Sequence, residues 1–246
     1  MKRYLINVFP WLVLTCLGCA GTNKTTVPLA VIDRPLVNPR GTWFAHPAVG
    51  GYVASEDSIS YRGFNTANML SVGYSLSDNF SLPLIPFPYF CWQITKSPLV
   101  DTTAKYKWQI AFSGGLSGYN PQLGISYDMQ LFWKKRLTQS LWYQGGLFDG
   151  AWLASNRIDV VEYQPAEASS GIGIQLSPKA DIIPSLMVSY FGNQNHPTRK
   201  YLSCTATFNF HYSFAQWASI DVGSFFEFYY RREMAAGTSI GGEFYW

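Results

Sequence analysis

The stretch LSCTATFNFHYSF, residues 202–214, decides the fold. Leu202, Cys204, Ala206, Phe208, Phe210, Tyr212 and Phe214 interleave without a fault with Ser203, Thr205, Thr207, Asn209, His211 and Ser213. A helix would scatter these two sets around its circumference, whereas a strand sends alternate side chains to opposite faces. A strand buried on both faces would not carry an unbroken polar row on one of them. The segment is two-faced, and it is long enough to cross a bilayer, which takes about nine to eleven tilted strand residues.

Two neighbouring regions repeat the period. From Lys105 to Leu116, Tyr106, Trp108, Ile110 and Phe112 oppose Lys105, Lys107, Gln109 and Ser113. From Leu123 to Arg136, Leu123, Ile125, Tyr127, Met129, Leu131 and Trp133 oppose Gly124, Ser126, Asp128, Gln130, Lys134 and Arg136, with Phe132 the exception. Strands of soluble domains usually run to about five or six residues, so several of this length point to a membrane. No segment after the N-terminal run is apolar enough for a transmembrane helix, which leaves the closed barrel as the spanning architecture.

Further strands are expected at 67–76, 80–94, 141–153, 169–176, 181–191, 220–230 and 236–246, with another opening near Gly41. Ser77-Asp78-Asn79, Thr138-Gln139-Ser140 and Ser177-Pro178-Lys179 are suited to short turns, and longer connections alternate with them. Eleven candidates result, and a bacterial barrel needs an even number. The expected fold is an all-β, antiparallel up-and-down transmembrane β-barrel of about ten strands, with twelve the other possibility. Twelve would follow if 157–164 were a strand; ten would follow if the 105–118 region folded outward or merged with a neighbour. Pro83, Pro86 and Pro88 are awkward inside a ladder and mark a kinked or edge-like stretch.

The two ends of the chain carry family resemblances. The last residues, SIGGEFYW, place Ile240, Gly242, Phe244 and Trp246 on one face and Ser239, Gly241, Glu243 and Tyr245 on the other. With Ser239, Gly241, Phe244 and Trp246, the pattern resembles the C-terminal insertion signal of bacterial outer-membrane barrels, which implies recognition by barrel-assembly machinery. At the other end Met1, Lys2 and Arg3 precede a short apolar run, Leu5 to Leu17, which reads as an export signal too short to span a bilayer permanently. Its end, Cys16-Leu17-Gly18-Cys19, resembles a bacterial lipobox, departing from it at Cys16; the resemblance implies acylation of Cys19 and handling by lipoprotein-sorting machinery. Residues 1–18 are thus expected to be a signal peptide, 19–40 a lipid-anchored periplasmic tether, and 41–246 the barrel of the outer membrane.

Composition sets limits on function. A net charge of +3, scattered along the chain, argues against nucleic acid. Cys91 and Cys204 sit in no metal-ligand spacing, so no metal or cofactor is expected, and their pairing is left open. Gly-Leu-Ser-Gly at 115–118 reads as turn glycines rather than a nucleophile elbow. The surrounding lipid is the expected partner, and no soluble partner is implied.

The inward charged candidates are Lys105, Lys107, Asp128, Lys134, Arg136, Asp221 and Glu227. Both signs occur, as in a lumen held largely shut by internal pairing, so the primary expectation is a structural or narrow-pore outer-membrane lipoprotein. An alternative rests on His211-Tyr212-Ser213, which resembles the His-x-Ser element of outer-membrane lipid A deacylases. That resemblance implies His211 as base, Ser213 as nucleophile and Glu227 or Asp221 as the orienting carboxylate. Phe214 stands where that family usually has Asn, and the alternation turns both residues inward, away from lipid. A third reading is surface binding through loops at 50–65, 94–103 and 192–200. His46 and His196, each before a proline in an expected loop, look incidental.

Overall fold

A computed structural model describes residues 27–56, 59–65, 70–85, 88–120, 124–153, 163–193, 201–229 and 234–246. Among them no helix is long and apolar enough to cross a membrane. The strands are β1 (Trp43–Glu56), β2 (Ile59–Asn65), β3 (Leu70–Ser77), β4 (Phe80–Ile85) and β5 (Tyr89–Gln93). They continue as β6 (Gln109–Asn120), β7 (Gly124–Arg136), β8 (Leu141–Leu153) and β9 (Tyr163–Ser177). The last four are β10 (Ala180–Asn193), β11 (Tyr201–Ala215), β12 (Ala218–Tyr229) and β13 (Met234–Tyr245).

Every strand pairs antiparallel with its neighbours, and β13 returns to pair with β1 from Phe44↔Tyr245 to Ser55↔Met234. Closure extends one residue further, where Trp43 N–H donates to Trp246 C=O at 2.8 Å and Trp246 N–H donates to Trp43 C=O at 3.0 Å. β2 pairs with the far half of β1 and β3 with its near half, so thirteen strands fill twelve positions around the barrel. The expectation of about ten strands is therefore corrected to twelve.

The missing position lies in 80–94, read from sequence as a single strand. It is two short strands, β4 and β5, in register at Phe80↔Trp92 and Ser81↔Cys91. Pro88 immediately precedes β5, where a residue without an N–H suits the start of a strand, whereas Pro83 lies within β4 opposite Gly73 at a register shift, and Pro86 lies outside the described residues. Neither repair weighed from sequence supplies the extra position. The 109–120 region is a full stave, and 157–162 lies outside the described residues.

Three further expectations change. The 50–65 loop is strand on both sides, belonging to β1 and β2. Lys105 and Lys107 do not line the lumen from a strand: Lys105 lies in a 3-10 turn (Thr102–Tyr106) and Lys107 is its exposed C-cap. That turn is capped by Asp101, which accepts from Thr103 N–H at 2.9 Å and Thr103 Oγ1 at 2.6 Å, bonds that hold its carboxyl below the usual carboxylate range. Lastly, the 94–103 connection runs between the β5 and β6 ends that lie beside the short turns, not at the long-loop end.

Burial is inverted relative to a soluble protein. Trp142, Asp181 and Ser213 are fully buried, whereas Leu186 and Phe226 are 58% exposed. Along β10, exposed Leu186, Val188 and Tyr190 alternate with Ser185, Met187 and buried Ser189. Such a surface would be untenable in water and suits an apolar solvent, with the polar faces turned to the lumen. Cys204 lies on the exposed face of β11, whereas Cys91 on β5 shares the inward row with Ser81 and Ser113; both are free thiols. The short turns at 77–80, 137–140, 177–180 and 215–218 lie at the end where the chain enters at Trp43 and leaves at Trp246. Thr138 Oγ1 and Ser177 Oγ organise two of them by accepting backbone N–H groups two and three residues on.

Candidate functional site

At the turn end the lumen is occupied by the chain itself. Residues 27–40, read from sequence as the latter part of a periplasmic tether, are packed into the barrel. Val27, Ile32 and Val37 are each no more than 3% exposed, and Val27 clusters with Phe44 and Tyr245. A Pro-rich segment without period has no ladder of its own, so its backbone groups need partners from elsewhere. The inward polar row of the barrel supplies them. Gln93 Oε1 on β5 accepts Leu36 N–H at 3.1 Å and Val37 N–H at 3.3 Å, and Gln175 Oε1 on β9 accepts Ile32 N–H at 3.2 Å. Lys134 on β7 donates to the carbonyls of Val31 and Arg34. Residues 1–26, including Cys19 and the signal-peptide reading, lie outside the described residues.

Arg34 is the centre of this plug. Its guanidinium pairs with Glu243 of β13, donates to Ser213 Oγ of β11 at 2.9 Å and to Pro28 C=O at 3.0 Å, and lies 5.7 Å from the Tyr245 ring centroid. Beside it Asp33 pairs with Arg136 of β7 and with Lys105 at 2.8 Å. A guanidinium presents donors in a planar fork, which lets one residue tie several strands at once.

The His-x-Ser pair belongs to the same network. His211 Nδ1 meets Asp181 Oδ2 of β10 at 3.0 Å, and its Nε2 faces Glu243 at 3.6 Å and Arg34 Nη1 at 3.5 Å. Ser213 Oγ donates to Leu29 C=O at 3.0 Å while accepting from Arg34. The carboxylate on His211 is thus Asp181; Asp221 is the register partner of His211 on β12, and Glu227 lies three inward positions further up that strand. The serine hydroxyl is engaged with the plug, so the elements of a nucleophile pair are present without their mutual arrangement.

The other sequence candidates fall as follows. Lys134 and Arg136 point inward at the plug, buried to 5% and 7% exposure. Asp221 packs over Gly241, where a Cβ would come within 2.6 Å of its carboxylate, and Asp128 packs over Gly150 in the same manner. Ser239 and Gly241 face the lumen from β13, Phe244 shares the outward face with exposed Ile240, and Trp246 completes the seam. Sequence reasoning had not singled out Arg34, Asp181 or Glu243. Glu243 was legible from the alternation that put it inward; Arg34 carried no signal, because its segment has no period. His46, read as incidental in a loop, lies in β1, with Nε2 buried and without a hydrogen-bond partner among the described residues.

Above the plug is a cavity of about 370 Å³, floored by Leu36 and lined by Gln130, Gln144, Glu167, Ser185 and Met187. A closed antiparallel barrel with an apolar outer belt, a polar lumen and short turns at one end is a bacterial outer-membrane β-barrel, and the outer membrane is where that architecture belongs. No family model matches the chain, and no curated protein matches it by sequence. Among solved structures it is similar to an outer membrane channel from Pseudomonas putida F1, with 8% identity over 85% of this chain and 97% of that one and a TM-score of 0.60. It is also similar to the NanC porin, at 10% identity over 83% and 98% of the two chains, with a TM-score of 0.48.

Proposed function

We propose that this protein is a narrow outer-membrane pore whose turn-side mouth is closed by its own N-terminal segment. The observation that carries the reading is the passage of residues 27–40 across the lumen, tied to β5, β7, β9, β11 and β13 by side-chain bonds. A permanent seal would gain more from apolar packing, since buried ion pairs contribute little net stability over hydrophobic replacements. Polar and ionic attachment suits a segment that detaches. The cavity above the plug and the fold shared with a protein described as a channel support the same reading.

Planar-bilayer conductance tests it. The intact chain is expected to be silent or to open briefly, and Arg34→Ala, which removes the bonds to Glu243 and Ser213, to pass steady currents. Folded Arg34→Ala protein that stays silent, together with a silent barrel lacking residues 27–40, would leave only a structural role.

Acylation of Cys19 belongs to this proposal. Val27 follows it by eight residues, a reach of about 28 Å when extended, enough to lead from the plug past the rim to the surrounding leaflet. The lipid would then hold one end of the plug while the barrel holds the other. Cys19→Ala is expected to accumulate as unprocessed precursor on a gel; normal maturation of that variant would count against the anchor.

A further inference from the structure

Positive charge in the lumen is confined to its floor among the described side chains, where acidic groups pair with it. The inward basic side chains among the described residues, Lys134 and Arg136, lie at the floor with the plug's Arg34, engaged with plug carbonyls, Asp33 and Glu243. Higher up, the inward ionisable groups with described side chains on β7, β9 and β12 are Asp128, Glu167 and Glu227, and the charges whose fields bear on Glu167 are those of Glu227 and Asp128.

Between Glu167 and Glu227 the inward face of β10 and β11 carries three hydroxyls, those of Ser189, Ser203 and Thr205. Glu167 Oε1 accepts from Ser189 Oγ at 3.2 Å, Ser189 is in register with Ser203, and Thr205, the next inward residue, is in register with Glu227. Register partners on one face bring their Cβ atoms to about 5 Å. Ser203 and Thr205 are 1% and 4% exposed, and neither hydroxyl has a hydrogen-bond partner among the described residues. Two buried orphan hydroxyls between two carboxylates is an arrangement that leaves oxygen lone pairs without a donor, which a folded protein rarely tolerates.

We infer that the Glu167–Ser189–Ser203–Thr205–Glu227 row is a binding site for a small monovalent cation, placed in the upper lumen to favour cations over anions. A cation supplies a partner to the lone pairs of the two orphan hydroxyls and a counter-charge to the two carboxylates, and rings of acidic side chains are the usual means by which pores prefer cations. Among the described residues no three His, Cys, Asp or Glu side chains converge as metal ligands, so the row suits a weakly held ion that can leave, as conduction requires.

Sodium-23 line width tests the site without reference to conduction. The full chain folded in zwitterionic detergent is expected to broaden the sodium line severalfold more than the Glu167→Gln/Glu227→Gln variant, and added potassium to reverse the effect. Equal broadening by both proteins overturns the site. Thr205→Val, which changes no charge, is expected to lose part of the broadening and decides the matter if the double variant does not fold; wild-type broadening in it would also overturn the site. The selectivity consequence rests on the pore reading, and reversal potentials of Arg34→Ala protein under a KCl gradient test it. A potential on the cation side that moves toward zero with the Gln substitutions supports cation preference, and an anion preference refutes it. Silence of both folded Arg34→Ala protein and the barrel lacking residues 27–40 would end the pore reading, while the sodium line still decides the site.

Discussion

At the scale of residues, the barrel wall is shaped by glycines placed under large inward side chains. Trp142 is fully buried in the lumen, its indole N–H donates to Gln144 Oε1 at 2.8 Å, and Lys134 Nζ lies 5.5 Å from its ring. The ring lies directly over Gly173 of β9, where a Cβ would stand 1.8 Å from Trp142 Cε2. No side chain fits there unless the indole leaves, and its departure would disturb the Lys134 contacts to the plug. Gly173→Val is therefore expected to destabilise the barrel by about 1–3 kcal/mol, the usual range for overpacking. Urea unfolding in vesicles, followed by tryptophan fluorescence, measures this; an unchanged midpoint would mean that the wall yields at Gly173 without strain. Arg34 is the opposite kind of residue. Its position depends on bonds to Pro28, Ser213 and Glu243, which makes it a point of release rather than of rigidity.

At the scale of elements, β4 and β5 form the weakest part of the wall. They are the shortest strands, six and five residues long, and among the described residues only Phe80↔Trp92 and Ser81↔Cys91 join them in register. Local opening follows local hydrogen bonding, so their amides are expected to exchange faster than those of β10 or β11, which share a ladder from Ala180↔Tyr212 to Phe191↔Tyr201. Hydrogen exchange by mass spectrometry checks this, and equal protection of the two regions would refute it. The same two strands explain what the sequence could not show. β11 is legible to the residue because one face meets lipid and the other the lumen, which enforces the period of two over its whole length. β4 and β5 are too short for a period to register, and their prolines resemble a kink as much as a reversal. The plug is illegible for a related reason. Its partners are side chains of five strands far away in sequence, and nothing local in Asp33-Arg34-Pro35-Leu36 announces them. The His-x-Ser pair shows the converse: the alternation correctly turned His211 and Ser213 inward, but their roles depend on Arg34 and Asp181, which only the fold brings near.

At the scale of the whole molecule, the two surfaces of the barrel face different solvents, and adjacent residues of β10 report on each. Leu186 lies midway along the strand on the outer belt, 58% exposed, whereas Ser185 faces inward, bonded to Thr207 of β11 and lining the cavity above the plug. Arginine at 186 would have to place its guanidinium near the bilayer midplane, for which barrel proteins lose about 2–4 kcal/mol. Arginine at 185 would enter a polar, cavity-bearing lumen near Glu167, where the charge is stabilised and the space is reduced. Leu186→Arg is thus expected to lower unfolding stability in vesicles while leaving the conductance of folded Arg34→Ala protein unchanged. Ser185→Arg is expected to leave stability near that of the parent and to diminish that conductance. Because the two positions are covalent neighbours in one ladder, strand propensity and backbone context are nearly the same for both. A reversal of the two outcomes would mean that the lipid and lumen faces of β10 are exchanged, and with them the register of every strand paired to it; equal loss of stability at both sites would mean that the cavity above the plug does not admit a charged side chain.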